Sequence, residues 1–444
     1  MPVDPVRDNA VSALIRVLEN DARTNVVLDR ILRKGRLSLR GGRFLTHLVY
    51  GVVRNKLLCD HVLSAVCTQP LDKIPPPVLM VLRLGVFQAY FCANVTRPAL
   101  VHTSVDLARR RGNIGLAKLT NAVLRHIPDS LESVSFPDRH SDFINHLRMR
   151  YSMPRWMVRL WMEKFGEEGA EKICASCGEQ APLTIRVNTL KMNRDNLIRL
   201  LGKSGFAAAP VPNCMDGLIV SGKSNLLKSK LFQEGLFMLQ DPASMFAAQL
   251  LSPSPGENIL DMCAAPGGKA THISALTGGE ASVVAMDRYY SRMGRLEENC
   301  ERMTVPNIIP LCGDGLLPPF KEGFFDRVLL DAPCSGLGTL RRHPEIRWRT
   351  TPELVAKLAV TQRALLRKAV QLCKNGGLVV YSVCTLTRQE TSEVVSEIIA
   401  DGHCVPEDAP EQFDSWKITQ GQYQTSPLDA AWDGFFLTRF RKRS

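Results

Sequence analysis

The sequence DMCAAPGGK occupies residues 261–269, between an apolar run that ends at Asp261 and a helix predicted to begin near Ala270. In an open α/β sheet, ligands bind beyond the carboxyl ends of the strands, where small residues let the backbone approach the ligand closely. The segment lacks both the G-x-G-x-x-G spacing of dinucleotide-binding loops and the G-x-x-x-x-G-K-[ST] spacing of phosphate-binding loops. It therefore predicts a strand–loop–helix unit that binds a nucleotide-like ligand, with a plain tight turn as the alternative.

Three acidic residues follow the next predicted strands. Asp287 comes after VVAM, Asp314 after LCG and Asp331 after RVLL. A carboxylate is an acceptor-only group that can bind both ribose hydroxyls of an adenosine. A single acid at a strand end is often only a helix N-cap, but three in order after one glycine-rich loop favour an adenosyl ligand without phosphates.

Short apolar runs alternate with helical segments beyond Asp241, and this pattern is typical of a largely parallel sheet covered by helices on both faces. The predicted strands are 258–261, 282–285, 308–311, 327–330, 378–382 and 435–440. We therefore expect a Rossmann-like α/β domain over residues 241–444. Residues 145–240 mix helical and β-like runs and predict a small α+β segment, while residues 1–132 show helical periodicity and predict an all-α bundle.

The composition is that of a globular protein, with 45% hydrophobic and 23% charged residues among 444. The longest apolar stretch, from Val78 to Val95, contains Arg83 and Gln88, so no membrane-spanning segment is expected. The first residues lack the pattern of a signal peptide, and the 13 cysteines form no disulfide framework. We expect a cytoplasmic protein.

Positive charge is concentrated in the first part of the chain. Residues 1–150 contain 22 Lys and Arg against 12 Asp and Glu, whereas residues 241–444 contain 22 against 24. The excess predicts a polyanionic partner such as a nucleic acid, because neutralising phosphates supplies most non-specific affinity. Solvated helix faces are the alternative.

A basic segment after residue 340 offers a second candidate surface for RNA phosphates, with a solvated loop as the alternative. Its charged residues are Arg341, Arg342, His343, Arg347 and Arg349. Trp348 could stack on a base or anchor the segment.

Two cysteines follow strands of the same predicted sheet, Cys334 in DAPCSG and Cys384 in YSVCTL. A buried cysteine is ordinarily an inert hydrophobe, but two at equivalent strand ends beside a ligand loop indicate chemistry. Addition of a thiolate to carbon 6 of cytosine makes carbon 5 nucleophilic enough to accept a methyl group. Such a thiolate needs partial exposure and a lowered pKa. The pair Cys174 and Cys177 has metal-ligand spacing but no second pair, so no metal is expected.

At these residues the sequence resembles the RNA cytosine-5 methyltransferases that use S-adenosylmethionine. The resemblance implies that the methyl donor is bound by one loop and three acids. These residues are Cys263, Ala264, Ala265, Pro266, Gly267, Gly268, Lys269, Asp287, Asp314 and Asp331. It further implies that Cys384 is the nucleophile, that Cys334 assists product release, and that Asp331 also contacts the cytosine ring. Lys269 would help to orient the base or the donor.

The resemblance covers the whole chain. Residues 48–54 (LVYGVVR) and 120–125 (TNAVLR) are similar to the NusB-type RNA-binding domain of the bacterial small-subunit ribosomal RNA enzymes in this family, and residues 181–190 and 240–245 to their intermediate segment. It implies a monomer that methylates carbon 5 of one cytosine in 16S rRNA. Transfer RNA or large-subunit RNA as substrate, and a non-catalytic RNA-binding assembly factor, are the alternatives; DNA cytosine methylation is disfavoured.

Overall fold

The computed structural model describes residues 4–222, 224–429 and 431–443. The chain forms two compact units: residues up to Gln180 together with Leu340–Arg349 make the first, and Ala181–Thr339 with the chain from Thr350 onward make the second. None of the helices in these ranges is both long and apolar enough to cross a membrane.

The first unit is helical. Its helices, numbered along the whole chain, are α1 (Pro5–Leu18), α2 (Thr24–Arg33), α3 (Leu39–Arg54), α4 (Lys56–Val66), α5 (Pro76–Phe91), α6 (Arg97–Arg111), α7 (Ile114–His126), α8 (Phe143–Arg150), α9 (Arg155–Ser176) and α15 (Ile346–Arg349). Local signals start several of them: Asp4 caps α1 ahead of Pro5, and the Ser38 hydroxyl accepts from the Gly41 amide. Helix α5 is buried along most of its length, and its one cation, Arg83, pairs with Asp60 at 2.7 Å. The apolar stretch of the sequence is thus a core helix.

The basic segment after residue 340 is built into the helical unit. Arg347 is 1% exposed and donates to the carbonyls of Arg54, Ser152 and Cys177 at 3.0–3.1 Å. The Trp348 indole donates to the carbonyl of Val53 at 2.8 Å. These donors serve backbone acceptors, so Arg347 offers no surface to a phosphate and Trp348 anchors the segment.

The second unit begins with a small antiparallel sheet in the order β2–β3–β1–β4. Its strands are β1 (Thr184–Val187), β2 (Phe206–Pro210), β3 (Gly217–Gly222) and β4 (Phe237–Leu239), and the helices beside it are α10 (Arg194–Lys203) and α11 (Lys230–Gln233). Apolar side chains from the sheet and from α10 form a core of their own. This is the expected α+β segment.

The larger sheet has nine strands, with the path β11–β12–β13–β9–β8–β5–β6–β7 and β10 paired to β13. The strands are β5 (Asn258–Asp261), β6 (Ser282–Asp287), β7 (Ile308–Cys312), β8 (Phe325–Asp331), β9 (Cys373–Val383), β10 (Cys404–Pro406), β11 (Lys417–Thr419), β12 (Gln422–Gln424) and β13 (Phe436–Lys442). The helices that follow or precede them are α12 (Pro242–Leu251), α13 (Gly268–Leu276), α14 (Tyr290–Met303), α16 (Pro352–Leu372) and α17 (Ser392–Ala400).

Strands β7, β6, β5, β8 and β9 run parallel, and two separate apolar clusters form the core of this unit around them. Strand β13 is antiparallel to β9, and β10 and β12 are antiparallel to β13. The predicted fold class, a helical bundle followed by an α+β segment and a Rossmann-like domain, is confirmed. The antiparallel C-terminal strands are an addition to the expected parallel sheet, and the domain limits 1–132, 145–240 and 241–444 stay a prediction.

Candidate active site

The predicted site residues lie along one edge of the larger sheet, because the carboxyl ends of its parallel strands meet there. Across this edge, Asp314 follows β7, Asp287 ends β6, the 261–269 segment follows β5, Asp331 ends β8 and Cys384 follows β9. The loop after β5 and the end of β8 are central, with two acids on one side and the Cys384 thiol on the other.

The loop after β5 is held tightly by backbone contacts. The amide of Ala264 donates to the Met286 carbonyl at 2.9 Å, and the Gly267 amide donates to the Ala264 carbonyl at 2.7 Å. Gly267 precedes α13 with φ at +95°, a conformation that side chains with a Cβ rarely adopt. Cys263 lies in this loop and is partly exposed, and burial raises the pKa of its thiol. These contacts make the loop a rigid cradle.

Asp287 contacts the same loop. Its carboxylate accepts from the amides of Ala265 at 3.2 Å and Tyr289 at 3.1 Å, and Arg292 lies 3.1 Å away. Asp314 is more exposed and accepts from the Leu316 amide at 3.0 Å. The two acids follow neighbouring strands, as the binding of one elongated ligand requires.

Asp261, the first residue of the segment, is fully buried, and neither carboxylate oxygen has a well-aligned donor among the described residues, although the nearby Cys263 amide lowers the pKa of this carboxyl. Burial raises its pKa to about 7; the charges of Asp331 and Asp287 act in the same direction, whereas Lys269 lowers the pKa. A buried carboxyl without a well-aligned donor suits a ligand that brings a cationic or N–H group. The carboxylate acceptors of the edge therefore fit S-adenosylmethionine, whose adenosine has ribose hydroxyls and whose amino acid end has an ammonium group.

Lys269 and Asp331 form an ion pair, with 2.6 Å between Nζ and Oδ2. The other oxygen of Asp331 accepts from the Ser382 hydroxyl at 3.1 Å, which fits the register that places Asp331 beside Ser382. Burial alone would lower the pKa of Lys269, but the contact with Asp331 and the charges of Asp261 and Cys384 raise it. Lys269 is thus a fixed cation at the centre of the edge.

The structure brings the two predicted cysteines together, with 3.2 Å between the Sγ atoms of Cys334 and Cys384. Both thiols are free and partly exposed. The hydrogen bond to Cys384, together with burial, raises the pKa of Cys334 well above its ordinary value. Either thiol can donate in this contact, and the raised pKa of Cys334 favours its protonated form.

The loop that carries Cys334 turns back toward Cys384. The Gly338 amide donates to the Cys384 carbonyl at 3.0 Å, and a Cβ at Gly338 would lie 1.7 Å from the Gly434 carbonyl oxygen. Only glycine permits this approach.

Arg186, on β1, was not singled out from the sequence. It is fully buried and donates to Gln240 Oε1 at 2.5 Å, to Thr271 Oγ1 at 2.9 Å and to the carbonyl of Gly268. Burial lowers its pKa to about 9, which leaves it charged at neutral pH. An arginine within an apolar strand is the signal that could have identified it. Arg186 ties the small sheet to the first turn of α13.

Ser382 and Glu390 also contact the site and were not predicted as part of it, whereas Asp261 was predicted only as the first residue of the ligand-binding segment. Cys174 and Cys177, the two cysteines with metal-ligand spacing, are buried in the helical unit. Within residues 4–222, 224–429 and 431–443, no three His, Cys, Asp or Glu side chains cluster as a metal site would require.

Comparison with known proteins agrees with this architecture. Residues 248–441 match the family described as 16S rRNA methyltransferase RsmB/F, residues 4–129 the NusB family, and residues 153–226 the RsmF/B-like ferredoxin-like domain. The chain is 34% identical to the probable ribosomal RNA small subunit methyltransferase B of Synechocystis, over 98% of this chain and 99% of that protein. It is 31% identical to the ribosomal RNA small subunit methyltransferase B of Vibrio cholerae, over 99% and 98%.

Among solved structures, that of PH0851 aligns over the full length of both chains, with a TM-score of 0.83 and 26% identity. Relatives above 30% identity align with nearly the whole chain, and the family models match successive parts of it. This chain therefore belongs to the RsmB/F family of 16S rRNA methyltransferases.

Proposed function

We propose that this protein transfers the methyl group of S-adenosylmethionine to carbon 5 of a specific cytosine in 16S rRNA, through a covalent bond between Cys384 and carbon 6. The observation that carries the proposal is the 3.2 Å contact between Cys334 and Cys384, beside the ion pair of Lys269 and Asp331. Two adjacent thiols are not needed to methylate an already nucleophilic atom. They suit a ring carbon that must first be activated by addition.

S-adenosylmethionine supplies an electrophilic methyl group when it is bound. Its adenosine and its amino acid end would be held by the loop after β5 and by four acids. The loop residues are Cys263, Ala264, Ala265, Pro266, Gly267, Gly268 and Lys269, and the acids are Asp261, Asp287, Asp314 and Asp331. Residues on the β8 and β9 side remain free to bind the base.

We assign the nucleophile to Cys384 because the contact between the sulfurs and burial raise the pKa of the Cys334 thiol and so oppose its ionisation. The Cys384 thiolate adds to carbon 6, and the ring electron pair moves to carbon 5. Carbon 5 then takes the methyl group as the bond from that methyl to the donor sulfur breaks, which leaves S-adenosylhomocysteine. Asp331 is fixed by Lys269 and Ser382 and keeps lone pairs for the edge of the cytosine.

Release follows when the proton on carbon 5 passes to a base and the electron pair expels the Cys384 sulfur. With its proton on Cys334, the 3.2 Å contact becomes a hydrogen bond to that sulfur and stabilises it as it leaves as a thiolate. This arrangement gives the two cysteines different tasks.

Two observations support 16S rRNA as the substrate: the full-length relatives bear the name of a small-subunit ribosomal RNA methyltransferase, and the chain before residue 150 is rich in positive charge. The target base must be unstacked to reach the thiols.

The test is bisulfite sequencing of ribosomal and transfer RNA methylated by the purified protein with S-adenosylmethionine. One protected cytosine in 16S rRNA is the expected result. Protection in transfer RNA instead would overturn the substrate, and no protection in any RNA, together with no calorimetric binding of S-adenosylmethionine, would favour an assembly factor.

The covalent step is tested with RNA that carries 5-fluorocytosine, which traps the adduct. Wild-type protein is expected to form an adduct stable to denaturing gels, and Cys384→Ser to form none. Equal capture by both proteins would reject Cys384 as the nucleophile.

A further inference from the structure

Glu390 is a fully buried acid whose carboxylate accepts hydrogen bonds from several neutral donors. Its Oε1 accepts from the Ser335 amide at 2.8 Å and from Gln362 Nε2 at 3.1 Å. Its Oε2 accepts from the hydroxyls of Ser335 at 2.5 Å, Thr385 at 3.0 Å and Thr387 at 2.9 Å. A carboxylate buried at this depth is retained only when donors of this kind compensate for the lost water.

The donors come from the two cysteine loops. Ser335 directly follows Cys334, and Thr385 directly follows Cys384, so one carboxylate binds the residue after each thiol. The two hydroxyls also contact each other at 2.9 Å.

Glu390 is itself fixed by the sheet. Its backbone carbonyl accepts from the Tyr381 hydroxyl at 2.7 Å, and Tyr381 is a buried residue of β9. Gln362, on α16, also donates to the Pro333 carbonyl at 2.9 Å, so the Cys334 loop is held from two directions. Glu390 lies on the chain that continues from Cys384, so its carboxylate joins this chain to the Cys334 loop while Tyr381 of β9 fixes its backbone.

The two thiols need such a support. Each loop extends beyond the end of its strand, so contacts of the loop backbones and of the neighbouring side chains act together with the contact between the sulfurs to set the distance between the thiols. An error of about 1 Å in the position of a reacting group can cost about 100-fold in rate.

We propose that Glu390 is a positioning residue that holds the Cys334 and Cys384 loops together, so that both thiols reach the same cytosine. The effect of Glu390 on methyl transfer rests on the proposed function. Its effect on the distance between the two thiols does not, because that distance can be tested in the protein without RNA or methyl donor. The two parts can be tested separately.

The first test measures the separation of the thiols without RNA or S-adenosylmethionine. Diamide, a thiol oxidant, takes two electrons and two protons from a pair of thiols and leaves a disulfide. Peptide mapping by mass spectrometry would follow formation of the Cys334–Cys384 disulfide in the full chain. We expect Glu390→Ala to slow this coupling at least about tenfold, because the loops lose their shared anchor.

Two milder variants guard against a protein that fails to fold. Glu390→Gln keeps one carbonyl oxygen for the Ser335 and Gln362 donors, and the hydroxyls can turn to accept from its amide, so we expect partial rescue. Thr385→Val keeps the shape of the side chain, removes one contact, and should slow coupling by a few-fold. Coupling at the wild-type rate in Glu390→Ala and Thr385→Val would overturn the proposal.

Glu345→Gln is the matched control. Glu345 is also a buried acid and accepts from the amide and hydroxyl of Thr24, but it lies in the helical unit. The Glu345→Gln substitution should leave the rate of Cys334–Cys384 disulfide formation unchanged. An equal slowing in this control would show a general loss of stability and would overturn a specific role for Glu390.

The second test measures methyl transfer in a single turnover. Glu390→Ala should lower the rate constant at saturating RNA about 100-fold while the KM for RNA and the Kd for S-adenosylmethionine stay within about twofold. Slowed coupling with unchanged methyl transfer would overturn the catalytic role. No methyl transfer by the wild-type protein would contradict the proposed function instead, and the coupling test of Glu390 would stand.

Discussion

The Nζ atom of Lys269 lies 2.6 Å from Oδ2 of Asp331, and this ion pair joins the loop after β5 to the end of β8. Lys269 is the last residue of the glycine-rich segment, whereas Asp331 lies three residues before Cys334. The pair therefore couples the part of the edge that would hold the methyl donor to the part that would hold the base.

Replacing Lys269 with Met should lower single-turnover methyl transfer about 100- to 1,000-fold, because a fixed charge beside the reacting atoms is lost. Lys269 also lowers the pKa of Asp261, so the variant should require a higher pH before that acid ionises. The measurement is a pH–rate profile. Lys269→Arg, which keeps the charge, is the control, and a profile of Lys269→Met that matches wild type would contradict the role of the pair.

Cys334→Ala should accumulate a covalent protein–RNA adduct with ordinary, unfluorinated RNA. Without the Cys334 hydrogen bond, the Cys384 sulfur leaves the methylated base more slowly, while its addition to carbon 6 is retained. Denaturing gels with labelled RNA would show the adduct. If the double variant Cys334→Ala with Cys384→Ser also forms it, a different residue is the nucleophile.

Asp261→Asn should stabilise the protein at about pH 8. The pKa of Asp261 is about 7 in the folded protein, against an ordinary value of 3.8. Ionisation of Asp261 therefore lowers the free energy of unfolding progressively as the pH rises from about 4 to about 7. The cost reaches about 4 kcal/mol at most and is absent below about pH 4. Urea denaturation across this range should therefore show a gain that disappears as pH falls.

The same Asp261→Asn variant should bind S-adenosylmethionine at least about tenfold more weakly, because a charged acceptor is replaced by a neutral amide. Calorimetric titration would measure this. Unchanged affinity would remove Asp261 from the binding site.

Arg186→Lys should weaken binding of S-adenosylmethionine about tenfold, since one ammonium group cannot reach all three acceptors that the guanidinium joins. The Gly268 carbonyl, at the first residue of α13, would lose its anchor. Arg199→Lys, at an exposed position of α10, is the control and should bind as wild type. A loss of thermal stability in Arg186→Lys with unchanged affinity would show that the arginine supports only the fold.

Arg347→Met should destabilise the helical unit by about 3 kcal/mol or more, because several buried carbonyls lose their donor. Arg110→Met, at an exposed position of α6, should change stability by less than about 0.5 kcal/mol. Chemical denaturation would compare the two. If Arg347→Met instead left stability unchanged and lowered the salt dependence of RNA binding, Arg347 would be a phosphate contact.

The sequence determined the order of the structural classes and the chemistry-bearing segments. Short apolar runs and the helices between them are local patterns, so all six predicted strands of the larger sheet are present. The loop from 261 to 269 and the acids at strand ends are recognisable because parallel strands bring their carboxyl ends to one edge. The two cysteines could be predicted to lie near each other for the same reason.

Only the tertiary structure decided which contacts these residues make. Glu390 lies six residues after Cys384, and its role depends on Ser335, which is 55 residues away in sequence. Arg186 and Gly268 are separated by 82 residues. The basic residues near 347 illustrate the same limit. Their charge predicted a surface that binds RNA phosphates, but Arg347 is buried and donates to backbone carbonyls of the helical unit. Local sequence patterns indicate which residues favour a buried strand, a helix or a loop. The partner of a buried charge depends instead on which distant segments pack against it in the folded chain.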